Sequence, residues 1–208
     1  MLWLDDKRCH KDFETFPTPK LLKTHCPVSL APESAFTNKS KIILAIRNPK
    51  DVAISFYHFY KNKNLGSFSG SFDEFADMFS SGYFHFGSWT KHTAEWWQKA
   101  RESDNILPVF YEDNKEDPHN TVRKIADFLG KQLTTEQVDT IVNYTSFSKM
   151  QSRPSSNLEH VASLSQKFIR NGKIGDWRNY FSDAQSDRFD GWLDEGIKDA
   201  QLKQNLKF

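Results

Sequence analysis

The 208 residues include only two cysteines, Cys9 and Cys26, and neither sits at a spacing that metal ligation uses. Both read as free thiols of a reducing compartment, and no metal site is expected. Charge of one sign is not in excess either: 28 Lys and Arg balance 27 Asp and Glu. That balance predicts no nucleic-acid surface and no membrane surface, so any anion binding has to be local. No apolar run approaches the length of a membrane span. The first residues, MLWLDDKRCHKD, carry acids early and lack the basic start and apolar middle of a signal peptide. The cytoplasm is the expected compartment. A G-x-x-x-x-G-K-[ST] motif is missing throughout, which excludes an ordinary P-loop kinase.

Aromatic residues are what the chain has in quantity, with 18 Phe, 6 Trp and 6 Tyr. They suit an aromatic core, or a pocket for a flat or hydrophobic ligand. The length is that of a single domain, residues 1–208, large enough for a substantial core.

The most informative stretch is KIILAIRNPKDVAISFYHFYK, from Lys41 to Lys61. Its short apolar run, Ile42 to Ile46, predicts a strand buried on both faces, as in a parallel sheet. Asn48 stands where a helix cap belongs, and Pro49 occupies the first helical position, where its missing N–H costs nothing. Asp51 in the first turn suits the helix dipole. Val52, Phe56, Phe59 and Tyr60 are expected on the packed face. A strand feeding a helix N-terminus presents free backbone N–H groups at the sheet's carboxyl end, where α/β proteins bind phosphate. Arg47 stands at that edge, where a guanidinium can clamp a phosphate with two bonds. Ser55, two turns beyond Asn48, offers a hydroxyl. The same spacing suits a plain surface pair between Arg47 and Asp51 equally well.

Along the rest of the chain, residues 1–18 read as irregular. A short strand is expected at Lys20–Thr24, with His25 at its carboxyl end. A lone histidine there is more often structural than catalytic. Ser71 should cap a helix bearing Phe72, Phe75, Met78 and Phe79 on one face. Residues 81–88, with Tyr83, Phe84 and Phe86, read as a loop near a pocket. Trp89, Thr93, Trp96, Trp97 and Ala100 mark an amphipathic helix. Ile106–Tyr111 reads as a buried strand in spite of Pro108. The acids between 112 and 117 read as a solvated turn. Asp117 and Pro118 should open one helix, ending at Gly130. Thr134 and Gln137 should open another as a capping box, with Val138, Ile141 and Val142 inward. Residues 151–166 are polar and read as a mobile loop. Gly172 and Gly175 beside Arg170 and Lys173 would let backbone approach a phosphate closely. Ser182 should cap a last helix with Phe189, Trp192, Leu193 and Ile197 inward.

Taken together, several of these segments resemble the cytosolic sulfotransferases. These enzymes move a sulfuryl group from 3′-phosphoadenosine 5′-phosphosulfate (PAPS) to a hydroxyl or amine. RNPKDVAISFYHF resembles that family's 3′-phosphate segment, which implies that Arg47 and Ser55 hold the 3′-phosphate. KTHCPV is similar to the family's K-T-H-L-P. That match implies His25 as the general base on the acceptor and Lys23 beside the transferred group, with Cys26 replacing the usual Leu. An imidazole titrating near neutrality suits the role. YEDNKEDP resembles F-Y-E-D-(L/M)-K-E-D/N and implicates Tyr111 on the adenine side. YTSFSKM resembles H-T-S-F-x-x-M, which places Thr145, Ser146, Phe147 and Met150 around the adenine. FIRNGKIGDW matches R-K-G-x-x-G-D-W, so Arg170, Asn171 and Gly172 would complete the 3′-phosphate site. Asn171 replaces a Lys there and removes a charge. The same match makes 151–166 a lid over donor and acceptor.

The resemblance runs from about Phe16 to Phe189. It implies an α/β, P-loop-like three-layer sandwich: a central parallel sheet flanked by helices. PAPS would be the donor, and the acceptor a small, aromatic or hydrophobic molecule; no nucleic acid, membrane or metal is implied. One departure is large. The family's 5′-phosphosulfate loop, T-Y-P-K-S-G-T-T-W, is absent from this sequence, together with the first strand that feeds it. The strands at 20–24, 41–46 and 106–110 would then border a gap. The alternative is a non-catalytic fragment or nucleotide-binding module that keeps only the 3′-phosphate half of the site. The family's dimer pattern K-x-x-x-T-V-x-x-x-E falls on Arg178–Asp187, where Asp183 replaces Val, so a monomer or weak homodimer is expected.

Overall fold

The computed structural model describes residues 2–3, 15, 17–38, 40–61, 68–83, 86–157 and 169–207. Cys9 and Phe84, and residues 158–166 of the expected lid, lie outside them. Two parallel strand pairs carry the fold. β1 (Leu2–Trp3) pairs with β2 (Leu22–Lys23), and β3 (Ile42–Ile46) pairs with β4 (Ile106–Phe110). Most of the rest is helix, and the class is α/β with parallel strands, as expected. β1 corrects the reading of residues 1–18 as irregular, because a two-residue strand has no periodicity to read. β3 and β4 bond directly to each other, so no gap lies between these two. Among the described residues no ladder joins β2 to β3.

β3 also corrects an expectation. Leu44 and Ile46 are buried, whereas Ile43 is 43% exposed. Side chains alternate along a strand, and the packed helices cover only one of the two faces. Leu44 and Ile46 meet Trp96, Trp97, Leu193 and Ile197 in one core cluster. Among the described residues β4 has β3 as its one ladder partner, and an edge strand is where Pro108 is tolerated.

The short helix α1 (Glu33–Thr37) precedes β3. α2 (Pro49–Lys61) follows it directly, as expected. Its buried apolar side chains beyond the first turn are Ala53, Ile54 and Tyr57, whereas Val52, Phe56 and Tyr60 are half-buried. The packed face is therefore rotated from the expected one, because another chain segment covers the first turn of α2. α3 (Phe72–Ser81) starts in a capping box between Ser71 and Glu74. It buries Phe72, Phe75 and Phe79, but Met78 points outward and Ala76 packs instead. Tyr57 of α2 stands edge-on to Phe72 and Phe75, with centroids 5.4 and 5.5 Å away. Many of the aromatics thus build a core.

α4 (Trp89–Arg101), capped by Ser88, buries Thr93, Trp96 and Trp97. After β4 comes α5 (Tyr111–Glu116), a helix where a solvated turn was expected, with Glu112 fully buried. Asp117 caps α6 (Pro118–Phe128), and Thr134 and Gln137 box the start of α7 (Thr135–Tyr144). Val138 is buried, but Ile141 faces outward. α8 (Phe147–Gln151) is short. Ser182 caps α9 (Asp183–Gly196), which is not the last helix, since α10 (Ala200–Asn205) follows.

Candidate functional site

The turn between β3 and α2 is held from several sides. Asn48 is buried, and its Oδ1 accepts from the backbone N–H groups of Lys50 (2.8 Å) and Asp51 (3.3 Å). Its own N–H donates to Glu112 Oε1 at 2.9 Å, and its side-chain amide donates to the Lys207 carbonyl at 2.6 Å. The expectation of free N–H groups at this helix start is therefore corrected. The cap residue and Glu112 already satisfy the first turn, so an anion here has to be held by side chains.

Arg47 supplies such a side chain. Its guanidinium lies over the Tyr111 ring at 4.4 Å and donates to the Lys173 carbonyl at 3.3 Å. It also pairs with Asp51 at 3.5 Å. That pair is real, but it is not a plain surface pair. Asp51 is buried and accepts from Gly175 N–H (2.8 Å) and Trp177 N–H (3.0 Å). One carboxylate therefore docks the loop of residues 170–177 onto the start of α2. Arg47 Nε is buried and has no hydrogen-bond partner among the described residues. A donor of that kind fits an anionic group bound beside it.

The docked loop carries Arg170, Asn171 and Gly172. Arg170 pairs with Asp176. Burial alone would raise the Asp176 carboxyl, but hydrogen bonds from Arg170, Asn171 and Asn179 together bring it below the ordinary aspartate value. Asn171 thus serves the loop's own fold. Gly172 has φ +64°, and a Cβ there would stand 2.3 Å from the Phe147 ring. Only glycine lets the loop lie this close against α8. Gln151 of α8 donates to the carbonyls of Ile169 (3.1 Å) and Arg170 (3.3 Å). Arg47, Tyr111, Phe147, Arg170, Asn171 and Gly172 are thereby brought onto one connected framework. Ser146 opens α8 and Met150 is half-buried on it. The Thr145 hydroxyl bonds back to the Ile141 carbonyl at 2.8 Å. Ser55 is exposed on α2.

Lys23 and His25 belong to the other strand pair, at the carboxyl end of β2. The His25 ring faces Phe86 at 4.4 Å. From α4, the Trp96 indole donates to the Cys26 carbonyl at 3.0 Å. His92, one turn earlier, hydrogen-bonds the backbone of Cys26 and His25. Burial, above all, holds the His92 imidazole below its usual pKa. Cys26 forms no disulfide among the described residues.

Sequence reasoning missed the docking role of Asp51, the buried Glu112 and the His92–Trp96 grip. Only the last had a readable signal, an i, i+4 polar-aromatic pair on one helix face.

Two arginines and a tight glycine loop at the carboxyl end of a parallel strand pair are an arrangement that suits an anionic ligand. The chain belongs to the sulfotransferase family: the sulfotransferase domain model matches residues 5–201. It is 41% identical to sulfotransferase 1A1 of Rattus norvegicus over 198 residues, covering 91% of this chain and 67% of that protein. It is 42% identical to sulfotransferase 1B1 of Canis lupus familiaris over 185 residues, covering 86% and 62%. Among solved structures it is similar to mouse sulfotransferase SULT7A1 complexed with PAP, with TM-score 0.86, 28% identity, and 96% and 73% coverage. It is also similar to retinol dehydratase in complex with retinol and PAP, with TM-score 0.84, 30% identity, and 96% and 59% coverage. The chain thus spans about three-fifths to two-thirds of the length of the curated relatives named here. No helix among the described residues is long and apolar enough to cross a membrane.

Proposed function

We propose that this chain holds the 3′-phosphate and adenine end of PAPS in a sulfotransferase that acts on a hydroxyl or amine of a small, aromatic or hydrophobic acceptor. The carrying observation is the convergence of Arg47 and Arg170 on one loop docked by Asp51. The two solved relatives were both bound to PAP, which supports a donor of this class. PAPS supplies the sulfuryl group. Arg47 and Arg170, with Asn171 and Gly172, bind and orient the 3′-phosphate, Ser55 adds a hydroxyl, and Tyr111 with Thr145, Ser146, Phe147 and Met150 shapes the adenine side. Tyr111 braces the Arg47 guanidinium from below. His25 takes the acceptor proton, and Lys23 offsets charge that develops on the transferred group. The half-buried His25, facing Phe86, supports an aromatic acceptor. The protein works as a monomer or weak homodimer, in the cytoplasm.

A second reading is a nucleotide-binding module without transfer. What favours it is that most of the side chains gathered on one framework belong to the bisphosphate half. Calorimetry with adenosine 3′,5′-bisphosphate and with the nucleotide lacking the 3′-phosphate tests both readings. Arg47→Ala should weaken the first by about 2–3 kcal/mol, the worth of a charge-assisted contact, and leave the second unchanged. An equal loss for both would overturn the assignment. Binding without turnover of any phenol or alcohol would select the second reading.

A further inference from the structure

Behind the phosphate framework lies a second cluster. His58 of α2, one turn beyond Ser55, has its Nε2 2.7 Å from the Tyr180 hydroxyl, and the two rings meet edge to face at 5.5 Å. The Arg170 guanidinium lies over the Tyr180 ring, 6.0 Å from its centroid, and is paired with Asp176. The Phe72 ring supports Tyr180 at 5.7 Å. An imidazole is thus linked through one phenol to an arginine of the proposed nucleotide site.

We infer that His58, with Tyr180, is a further residue of the phosphate site and takes up a proton when a 3′-phosphorylated nucleotide binds. This rests on the reading of Arg47 and Arg170 as the 3′-phosphate clamp. The groups facing His58 are Arg170 and Asp176 from the docked loop and Tyr180 just beyond it, with Lys61 and Tyr57 on its own helix. Burial, then the Arg170 cation, holds the imidazole below its ordinary pKa; Asp176 opposes this and Lys61 adds to it. A phosphate dianion on Arg170 cancels the cation and adds negative charge nearby, so the imidazolium becomes the favoured form. The proton comes from solvent and enters at Nε2. The Tyr180 hydroxyl then accepts from Nε2, and its own O–H, still bonded, rotates away from the imidazole. The nucleotide would be held by two guanidinium groups and, at lower pH, by a third cation behind them.

The test is calorimetry of the whole chain with adenosine 3′,5′-bisphosphate, from pH 6 to 8, in two non-phosphate buffers of unlike ionisation enthalpy. The wild type should take up a proton on binding, and its affinity relative to His58→Gln should rise as pH falls, by up to about tenfold per pH unit. The nucleotide's own phosphates titrate near pH 6, to about the same extent with either protein, so the difference isolates His58. Equal proton uptake in both proteins would overturn the inference. A second measurement needs no variant: the imidazole resonance of His58 should titrate at higher pH with nucleotide than without, and an unchanged or lower midpoint would also overturn it. A wild type that binds no bisphosphate at any pH would instead defeat the proposed function, and the inference with it.

Discussion

The two strand pairs hold their site residues by different means. Beside β3 and β4, buried polar groups far apart in sequence lock the phosphate turn: Asn48, Asp51 and Glu112 are buried and each bonds backbone on another element. Beside β1 and β2, the ladder is two residues long, and the Cys26 and His25 backbone is gripped by Trp96 and His92 of α4. The first arrangement is rigid because every alternative leaves a buried charge or N–H unpaired. The second rests on neutral hydrogen bonds of ordinary worth. Under the proposed function, the first arrangement would suit a fixed phosphate and the second the acceptor side.

Replacement of His25 should separate the two regions most clearly. In an enzyme that turns over, His25→Ala should lower turnover by about 10²–10⁴, the range for a general base, and leave bisphosphate binding nearly intact. Rates with PAPS and a phenolic acceptor, set beside calorimetry, check this. A near-normal rate would remove His25 from the chemistry.

Asp51→Ala should do the reverse. It leaves the half-buried Gly175 and Trp177 N–H groups without this acceptor and deprives Arg47 of its carboxylate partner. The expected loss is about 3–5 kcal/mol of folding stability, as for one partner removed from a buried charged network. Urea unfolding measures it, and bisphosphate affinity should fall with it. A loss under about 1 kcal/mol would mean that the loop docks without Asp51.

The local part of this architecture was legible in the sequence. Capping boxes at Ser71 and Thr134, the Asp117–Pro118 start and the β3–α2 unit all rest on neighbours within four residues, and all appear where the pattern puts them. The gathering of Arg47, Arg170 and Phe147 came from motif resemblance, since a contact across 126 residues, such as Arg47 to Lys173, has no periodicity to announce it. Glu112 shows why acids mislead. In sequence it is one acid among four in a polar run, and its burial depends on a backbone N–H 64 positions away. β1 was invisible because a two-residue strand is defined by its partner alone.

Two glycines with nearly the same φ sharpen the comparison further. Gly172 (φ +64°) lies against Phe147, whereas Gly130 (φ +67°) has nothing within 4 Å of a Cβ placed on it. Alanine at either should cost about 1–2 kcal/mol for the left-handed backbone. Gly172→Ala should in addition displace the Phe147 ring and weaken bisphosphate binding, and Gly130→Ala should not. Unfolding and calorimetry on the pair decide it; equal effects on binding would separate Phe147 from the site.

The smallest expected effect is a gain. Glu112 is fully buried, its Oε1 accepts from Asn48, and its Oε2 has no hydrogen-bond partner among the described residues. Burial raises its pKa above the ordinary glutamate value; the Asn48 N–H and the Arg47 charge oppose this only in part. An acid whose folded pKa is raised favours the folded state through its neutral form. Its contribution is fully present below the unfolded pKa and is lost as pH rises through the folded one. At pH 8 the ionised carboxylate therefore works against folding, and at pH 4 it does not. Glu112→Gln keeps an oxygen for the Asn48 N–H and removes the charge. The variant should be more stable than the wild type at pH 8, and the advantage should shrink as pH falls and vanish near pH 4. Urea unfolding of both proteins across that range provides the check. An advantage that does not change with pH would assign the effect to packing and not to the buried charge. A loss at pH 8 would mean that the ionised carboxylate stabilises the phosphate turn, and the phosphate side of the comparison would then owe its rigidity to charge as well as to hydrogen bonds.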